Sequence, residues 1–113
     1  MAKRQNTFTG RWHITEMEMW GPDARNLLGP AFIEFEPDGT GSFRFSAVQA
    51  HLDCRLMERD GLPVVEFSWE GDDDGDRACG RGWAVLKERI RIEGHFFIHL
   101  GDESSFEAKR ESA

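Results

Sequence analysis

The fold is decided by residues 52–69, which read Leu52-Asp53-Cys54-Arg55-Leu56-Met57-Glu58-Arg59-Asp60-Gly61-Leu62-Pro63-Val64-Val65-Glu66-Phe67-Ser68-Trp69. Apolar residues recur at every second position on both sides of Asp60-Gly61, as in strands with one buried face. An Asp-Gly pair between two such runs is a strong signal for a two-residue hairpin. The register set by this turn pairs Leu56 with Val65, Cys54 with Phe67 and Leu52 with Trp69.

Four further hairpins are predicted by the same alternation together with turn-forming residues. Their turns are placed at Asp38-Gly39-Thr40, within Gly71–Asp76, at Lys87-Glu88-Arg89 and at Gly101-Asp102-Glu103. The resulting registers pair Phe35 with Phe43, Trp69 with Ala78, Ala84 with Ile92 and Ile98 with Phe106. Residues 42–59 contain no Gly or Pro, and we expect a turn near Gln49 to divide them into two strands.

The first strand is predicted over Thr9–Trp20. Trp12 and Ile14 have one parity and Met17 and Met19 the other, so a β-bulge near Thr15 or Glu16 would bring all four to one face. The segment Gly21–Pro30 follows and is bounded by Gly-Pro pairs. It predicts one helical turn with Asp23 as N-cap, and we expect Leu27 and Leu28 to cover an open end of the sheet.

The strand Ala78–Leu86 presents small residues on its inner face, namely Ala78, Gly80, Gly82 and Ala84. Small residues there leave room for the neighbouring rings of Phe67, Trp69 and Phe96. About eight strands with one apolar face leave two unpaired edges unless the sheet closes. The sequence therefore predicts an all-β fold, an antiparallel up-and-down meander closed into a small barrel. Residues 1–113 form one domain, with residues 1–7 and 110–113 expected to be flexible.

Gly10-Arg11-Trp12 at the start of the first strand resembles the G-x-W signature of lipocalins and related calycins. The resemblance implies a β-barrel with Trp12 packed across its floor. A second resemblance, to short bacterial cytosolic proteins, extends over Pro30–Phe35, Val65–Gly71, Gly80–Ala84 and His99–Asp102. It implies a bacterial cytosolic origin and no particular mechanism.

Charge and composition indicate which partners to expect. The net charge of −7 argues against nucleic acid, although Arg outnumbers Lys and a local Arg cluster for an anionic ligand is compatible with an acidic chain. No apolar run approaches the roughly 20 residues of a membrane helix. The first residues lack the apolar run of a signal peptide, so we expect a cytoplasmic protein with Cys54 and Cys79 reduced, and neither a membrane partner nor a cofactor.

The polar residues on the strands have two interpretations, as metal or catalytic residues or as the solvated outer face of the sheet. His95 and His99 share a strand face about 13 Å apart, so a metal site would need donors from other strands, such as His13, His51, Asp53 or Glu66. The acidic run Gly71–Asp76 lacks the EF-hand pattern and is more typical of a hairpin tip. The pairs Glu16 with Glu18 and Glu34 with Glu36 have the spacing of an acid–base dyad. We therefore assign no metal ligand and no catalytic residue.

Three functions stay open. The favoured one is a non-catalytic binding module whose barrel interior or mouth holds a small apolar or aromatic ligand, and its lining is predicted to be Trp12, Phe43, Phe45, Phe67, Trp69 and Phe96. The second is a protein-interaction or homodimer module that uses an outer patch of Trp83, Val85 and Phe97. The third is a small metal-dependent or acid–base enzyme. Whether the interior is filled or hollow separates the first function from the second.

Overall fold

Eight antiparallel strands form the chain's only sheet within residues 8–111, the part that the computed structural model describes. The elements are β1 (Gly10–Met17), α1 (Pro22–Arg25), β2 (Phe32–Phe35), β3 (Thr40–Phe45), β4 (Val48–Arg59), β5 (Leu62–Asp73), β6 (Asp76–Glu88), β7 (Arg91–Ile98) and β8 (Glu103–Arg110). Each strand pairs with the next along the chain, and β8 pairs with β1. The predicted all-β meander, closed into a barrel with one short helix between its first two strands, is confirmed.

The expected flexible ends fall mostly outside this description. Residues 1–7 and 112–113 lie beyond the described part of the chain. Arg110, which the sequence assigned to the tail, is the last residue of β8 and pairs with Trp12 of β1.

The hairpin between β4 and β5 has the predicted register. Leu56 pairs with Val65, Cys54 with Phe67 and Leu52 with Trp69. Asp60 and Gly61 form the turn with φ values of 54° and 79°, the left-handed pair that a two-residue hairpin of the favoured hand requires. The two strands that this turn connects, β4 and β5, are each 12 residues long.

The other four predicted registers are wrong by an even number of residues. Phe35 faces Gly41 instead of Phe43, because the loop is Pro37-Asp38-Gly39 and closes through the Glu36 amide and the Thr40 carbonyl. Trp69 faces Gly80 instead of Ala78, because Asp74 and Gly75 alone form the turn, with φ values of 54° and 95°. Since side chains alternate with period two, these shifts keep every residue on its predicted face.

The last two hairpins shift in the same way. Ala84 faces Gly94 instead of Ile92, because the turn lies at Arg89-Ile90 and the β6 register shifts between Leu86 and Glu88. Phe106 faces Gly94 instead of Ile98, because the turn between β7 and β8 lies earlier in the chain than predicted. The Ile98 amide donates a hydrogen bond to the Asp102 carbonyl and closes this turn. The expected turn after β3 is present and lies at Ser46-Ala47, somewhat before Gln49.

The predicted β-bulge in the first strand is confirmed. The register of β1 against β8 shifts between Ile14 and Glu16, and Trp12, Ile14 and Met17 are all buried. The prediction for Met19 is wrong. The strand ends at Met17, and the Met19 side chain, beyond the ladder, is 52% exposed.

The segment after β1 also departs from the prediction. Gly21 occupies the N-cap of α1 and Asp23 lies inside the helix, because Pro22 takes the first helical turn. Leu27 and Leu28 do not cover the barrel and are 63% and 47% exposed. Trp20 packs there instead, with its ring centroid 4.9 Å from that of Phe45.

Candidate functional site

The barrel interior is filled by aromatic rings. The six residues predicted to line it are all buried, with at most 4% of each exposed: Trp12, Phe43, Phe45, Phe67, Trp69 and Phe96. Phe96 lies at the centre, with ring centroids 4.8 Å from Phe43, 5.0 Å from Phe45, 5.9 Å from Phe67 and 4.4 Å from Phe106. Neighbouring rings at these separations pack directly against one another. These rings therefore contact one another across the barrel interior.

Trp12 lies at the floor of the barrel. Its indole Nε1 donates a hydrogen bond to the Phe8 carbonyl at 2.8 Å, and the Phe8 ring is itself buried next to Phe35. The Arg110 guanidinium carbon lies 4.2 Å from the Trp12 ring centroid, and Arg110 Nη1 donates to the Thr9 carbonyl at 2.7 Å. Burial lowers the pKa of Arg110. These contacts connect the end of β8 to the start of β1 at the floor of the barrel.

A small apolar cleft opens beside Phe8. It has a volume of about 140 Å³, and its apolar lining comes from Phe8, Phe35, Pro37, Leu56 and Val65. Cys54 also lines it. Burial raises the pKa of the Cys54 thiol to about 12, and the charges of Asp53 and Asp38 add to the shift. The thiol is therefore protonated near neutral pH and is a poor nucleophile.

The most extended aromatic feature on the outside of the described barrel lies on β6 and β7. Trp83 pairs across strands with His95, and their rings stack with centroids 6.3 Å apart and an angle of 16°. His95 contacts Phe97 at 4.7 Å, and the Arg81 guanidinium lies 5.5 Å from the Phe97 ring. We call Trp83, His95 and Phe97 the outer aromatic stack. All three residues are half-buried, and 21% of the His95 side chain is exposed.

The three residues of the predicted patch, Trp83, Val85 and Phe97, lie on the adjacent strands β6 and β7. Val85 lies two residues from Trp83 on the same face of β6 and pairs with Val64, which is fully buried. The stacking role of His95 was not predicted from the sequence, where His95 was a candidate metal ligand or catalytic residue. His95 Nε2 lies 2.8 Å from Glu103 Oε1, and this contact holds the imidazole between the two larger rings. Its spacing of two from Phe97 was the available signal.

Two grooves flank Trp83, and their charges differ. The groove toward β4 and β5 has a volume of about 600 Å³ and contains Arg55, Arg59 and Arg81 against Asp53 and Glu66. We call it the arginine groove. The groove toward β8 and the end of β1 has a volume of about 490 Å³ and contains Glu16, Glu18, Glu93 and Glu107 against Lys87. We call it the acidic groove, and Trp83 lines both.

The metal candidates do not converge in the described structure. Within residues 8–111, no group of three or more His, Cys, Asp and Glu side chains is arranged to hold a metal ion. His13 Nε2 lies 2.9 Å from Glu111, whereas His95 contacts Glu103. The acidic run ends in the Asp74-Gly75 turn, where Asp72 accepts a hydrogen bond from the Gly75 amide.

The acid pair Glu34 and Glu36 lies at the outer end of β2. Arg11 donates to Glu34 at 2.8 Å and lowers the pKa of that carboxyl. The neighbouring Glu34 raises the pKa of Glu36. The two carboxyls titrate apart, as an acid–base pair requires, yet the ion pair with Arg11 accounts for the larger effect on Glu34.

Comparison of the chain with models of known protein families, with curated proteins and with solved structures gave no match in any of the three. The closed eight-stranded meander is consistent with the lipocalin-like architecture that Gly10-Arg11-Trp12 implied. Residues 8–111 contain one helix, which is four residues long. No helix in this part of the chain is long and apolar enough to cross a membrane.

Proposed function

We propose that the chain is a non-catalytic interaction module that binds a protein partner through Trp83, Val85 and Phe97. One observation carries the proposal: partly exposed aromatic rings stack on the outside of a barrel whose interior rings already contact one another. Large rings that the core does not need are costly on a surface unless something covers them. A partner that covers the outer aromatic stack would supply that burial.

The surroundings of Trp83 suit a binding surface. Trp and Arg are the residues most often responsible for binding energy at protein interfaces, especially where surrounding contacts exclude water. Trp83 stands between two grooves, and Arg81 rests on Phe97 at its side. The contact from Glu103 to His95 fixes the stack before binding, which lowers the entropy lost when a partner docks.

The test compares capture of binding proteins from a cell extract by the wild-type chain and by three variants. Trp83→Ala and Phe97→Ala should each lose the captured partner. Phe32→Ala is the matched control, because Phe32 is a half-buried aromatic on the outer face of β2 that Arg11 covers at 3.9 Å. Direct contact is then checked with a photo-crosslinking residue at Ser105, which borders the acidic groove, and with another at Ser42. Capture that ignores Trp83, or crosslinks formed only from Ser42, would refute the proposal.

A second candidate function is the binding of a small apolar ligand in the cleft at the Phe8 end of the barrel. The observation that favours it is the cleft of about 140 Å³ beside Phe8, lined by Leu56 and Val65. An apolar cavity of about 150 Å³ holds one benzene ring in another protein. A benzene titration followed by NMR should shift the Leu56 and Val65 methyl signals, and Leu56→Trp should abolish the shift by filling the cleft. Unchanged methyl signals at saturating benzene would exclude this site.

The remaining expectations are proposals of the same standing. We propose that the chain is a short calycin, and Trp12 at the barrel floor supports that relation. Its bacterial origin, its cytoplasmic location and its lack of nucleic-acid and membrane partners stay predictions. The enzyme alternative would have to use Glu34 and Glu36 or a histidine, and loss of a measured activity in Glu36→Gln is its test.

A further inference from the structure

We infer that the partner is a second copy of this chain, docked about a two-fold axis that runs along β6 beside Trp83. The inference rests on the proposed function, since it names the occupant of the same surface. The observation that carries it is the opposite charge of the two grooves on either side of Trp83.

The arginine groove and the acidic groove lie on opposite sides of one strand. Three arginines face two carboxylates on the β4 and β5 side of Trp83. On the other side, four glutamates face Lys87, and Arg91 beside them pairs with Glu93 and Glu107. Glu16 and Glu18 of this groove are both exposed. Positive charge is thus in excess on one side and negative charge on the other.

A two-fold axis makes the surfaces of the two copies complementary in charge. When two copies meet face to face about an axis parallel to β6, the right-hand side of one surface lies against the left-hand side of the other. The arginine groove of each copy then faces the acidic groove of its partner, and the contact is made twice. Trp83, near the axis, lies against Trp83 of the second copy. The interface thus has an aromatic centre and a charged rim, the usual arrangement in protein complexes.

The charge pattern also selects the direction of the axis. An axis perpendicular to the strands would place each groove against the same groove of the second copy. Glutamates would then face glutamates and arginines would face arginines, and like charges facing each other at an interface oppose association. Only the axis parallel to β6 pairs opposite charges on both sides of Trp83.

The test is a charge exchange followed by sedimentation velocity. The wild-type chain should sediment as a dimer at micromolar concentration, with a dissociation constant at least tenfold higher in 500 mM than in 50 mM salt. The double variant Arg55→Glu/Arg81→Glu should be monomeric, because like charges would meet at both grooves. The double variant Glu16→Arg/Glu18→Arg should be monomeric for the same reason. An equimolar mixture of the two should form dimers, since all four grooves then face opposite charges.

Arg77→Glu is the matched control, because Arg77 lies on the same strand six residues from Trp83 and borders neither groove. It should dimerise as the wild type does, and thermal melts should show that all variants are folded. A wild-type chain that stays monomeric up to 100 µM overturns the inference, whereas partner capture lost in Trp83→Ala would still support the proposed function. Dimers that survive Trp83→Ala or both charge reversals place the interface elsewhere, and a mixture that stays monomeric refutes the axis.

Discussion

The two faces of β6 differ in the size of the side chains that they carry. Its inner face carries four successive small residues, Ala78, Gly80, Gly82 and Ala84, before Leu86, whereas its outer face presents Arg81, Trp83 and Val85. On the inner face, a Cβ added to Gly82 would lie 2.6 Å from Phe67 Cζ. The inner residues are small because neighbouring rings occupy their space.

The outer face has no such reason for its large residues. Trp83, Val85 and Phe97 are half-buried and lie outside the hydrophobic cluster of the barrel. Core packing therefore limits the size of the side chains on the inner face, whereas it does not limit those on the outer face. Substitutions on the two faces should therefore separate stability from association.

The largest effect is expected from Phe96→Ala. Phe96 is 1% exposed and its ring contacts four other rings, so its removal leaves a cavity that the rigid barrel cannot close. We expect a loss of about 3–5 kcal/mol in the free energy of unfolding, measured by urea denaturation. A loss below about 1 kcal/mol would mean that the interior is not packed as described.

A smaller loss is expected from Gly82→Ala. The added methyl group would lie 2.5 Å from the His95 carbonyl oxygen as well as against Phe67, so backbone must move to admit it. We expect a loss of about 1–3 kcal/mol by urea denaturation. Gly21→Ala is the control, since a Cβ there meets nothing within 4 Å, and it should leave stability nearly unchanged. Equal effects of the two substitutions would contradict the crowded inner face.

A pH-dependent effect is expected at Cys54. The pKa of its thiol is raised by burial from 9.0 to about 12, so the folded state favours the protonated form. Its contribution to stability is complete below the pKa of the unfolded thiol and is lost as the pH rises through about 12. The unfolding free energy of the wild type should therefore fall more steeply above pH 9 than that of Cys54→Ala. Cys79→Ala is the control, because it removes an exposed thiol and leaves Cys54 in place.

The smallest effect on stability is expected from Trp83→Ala. The substitution removes a cross-strand ring contact with His95 but no part of the core cluster. Such pairs contribute about 0.2–1 kcal/mol, and we expect a loss in that range by urea denaturation. A loss above about 2 kcal/mol would show that Trp83 is a core residue and would remove the basis of the comparison.

The fold was predictable because alternation alone assigns each residue to a face. Asp60-Gly61 also determined the register of β4 against β5, since only a two-residue turn suits that pair. Asp74-Gly75 carries the same signal and was obscured by the acidic residues around it. The other turns are shaped by residues such as Ser46 and Leu100, whose positive φ values no propensity indicates. The two-residue period of a strand determines the face on which each side chain lies, whereas the register between two strands depends on the geometry of the turn that connects them.

The candidate site was predictable in part for the same reason. Outward parity identified Trp83, Val85 and Phe97, and the barrel places them on adjacent strands. The stack with His95 and the two grooves depend on which strands become neighbours and on how long side chains fold over the surface. The rings at the two ends of the barrel, Phe8 and Trp20, were also not predicted. Phe8 lies outside the strand pattern, and Trp20 follows the end of β1.

The contact between Arg110 and the residues around Trp12 has a consequence for synthesis. Arg110 bonds a carbonyl that lies 101 positions earlier in the chain. Because β8 pairs with both β1 and β7, the ladder edges of those two strands have no partner within the chain until β8 has been made. Until then, those two edges are open to pairing with a neighbouring nascent chain.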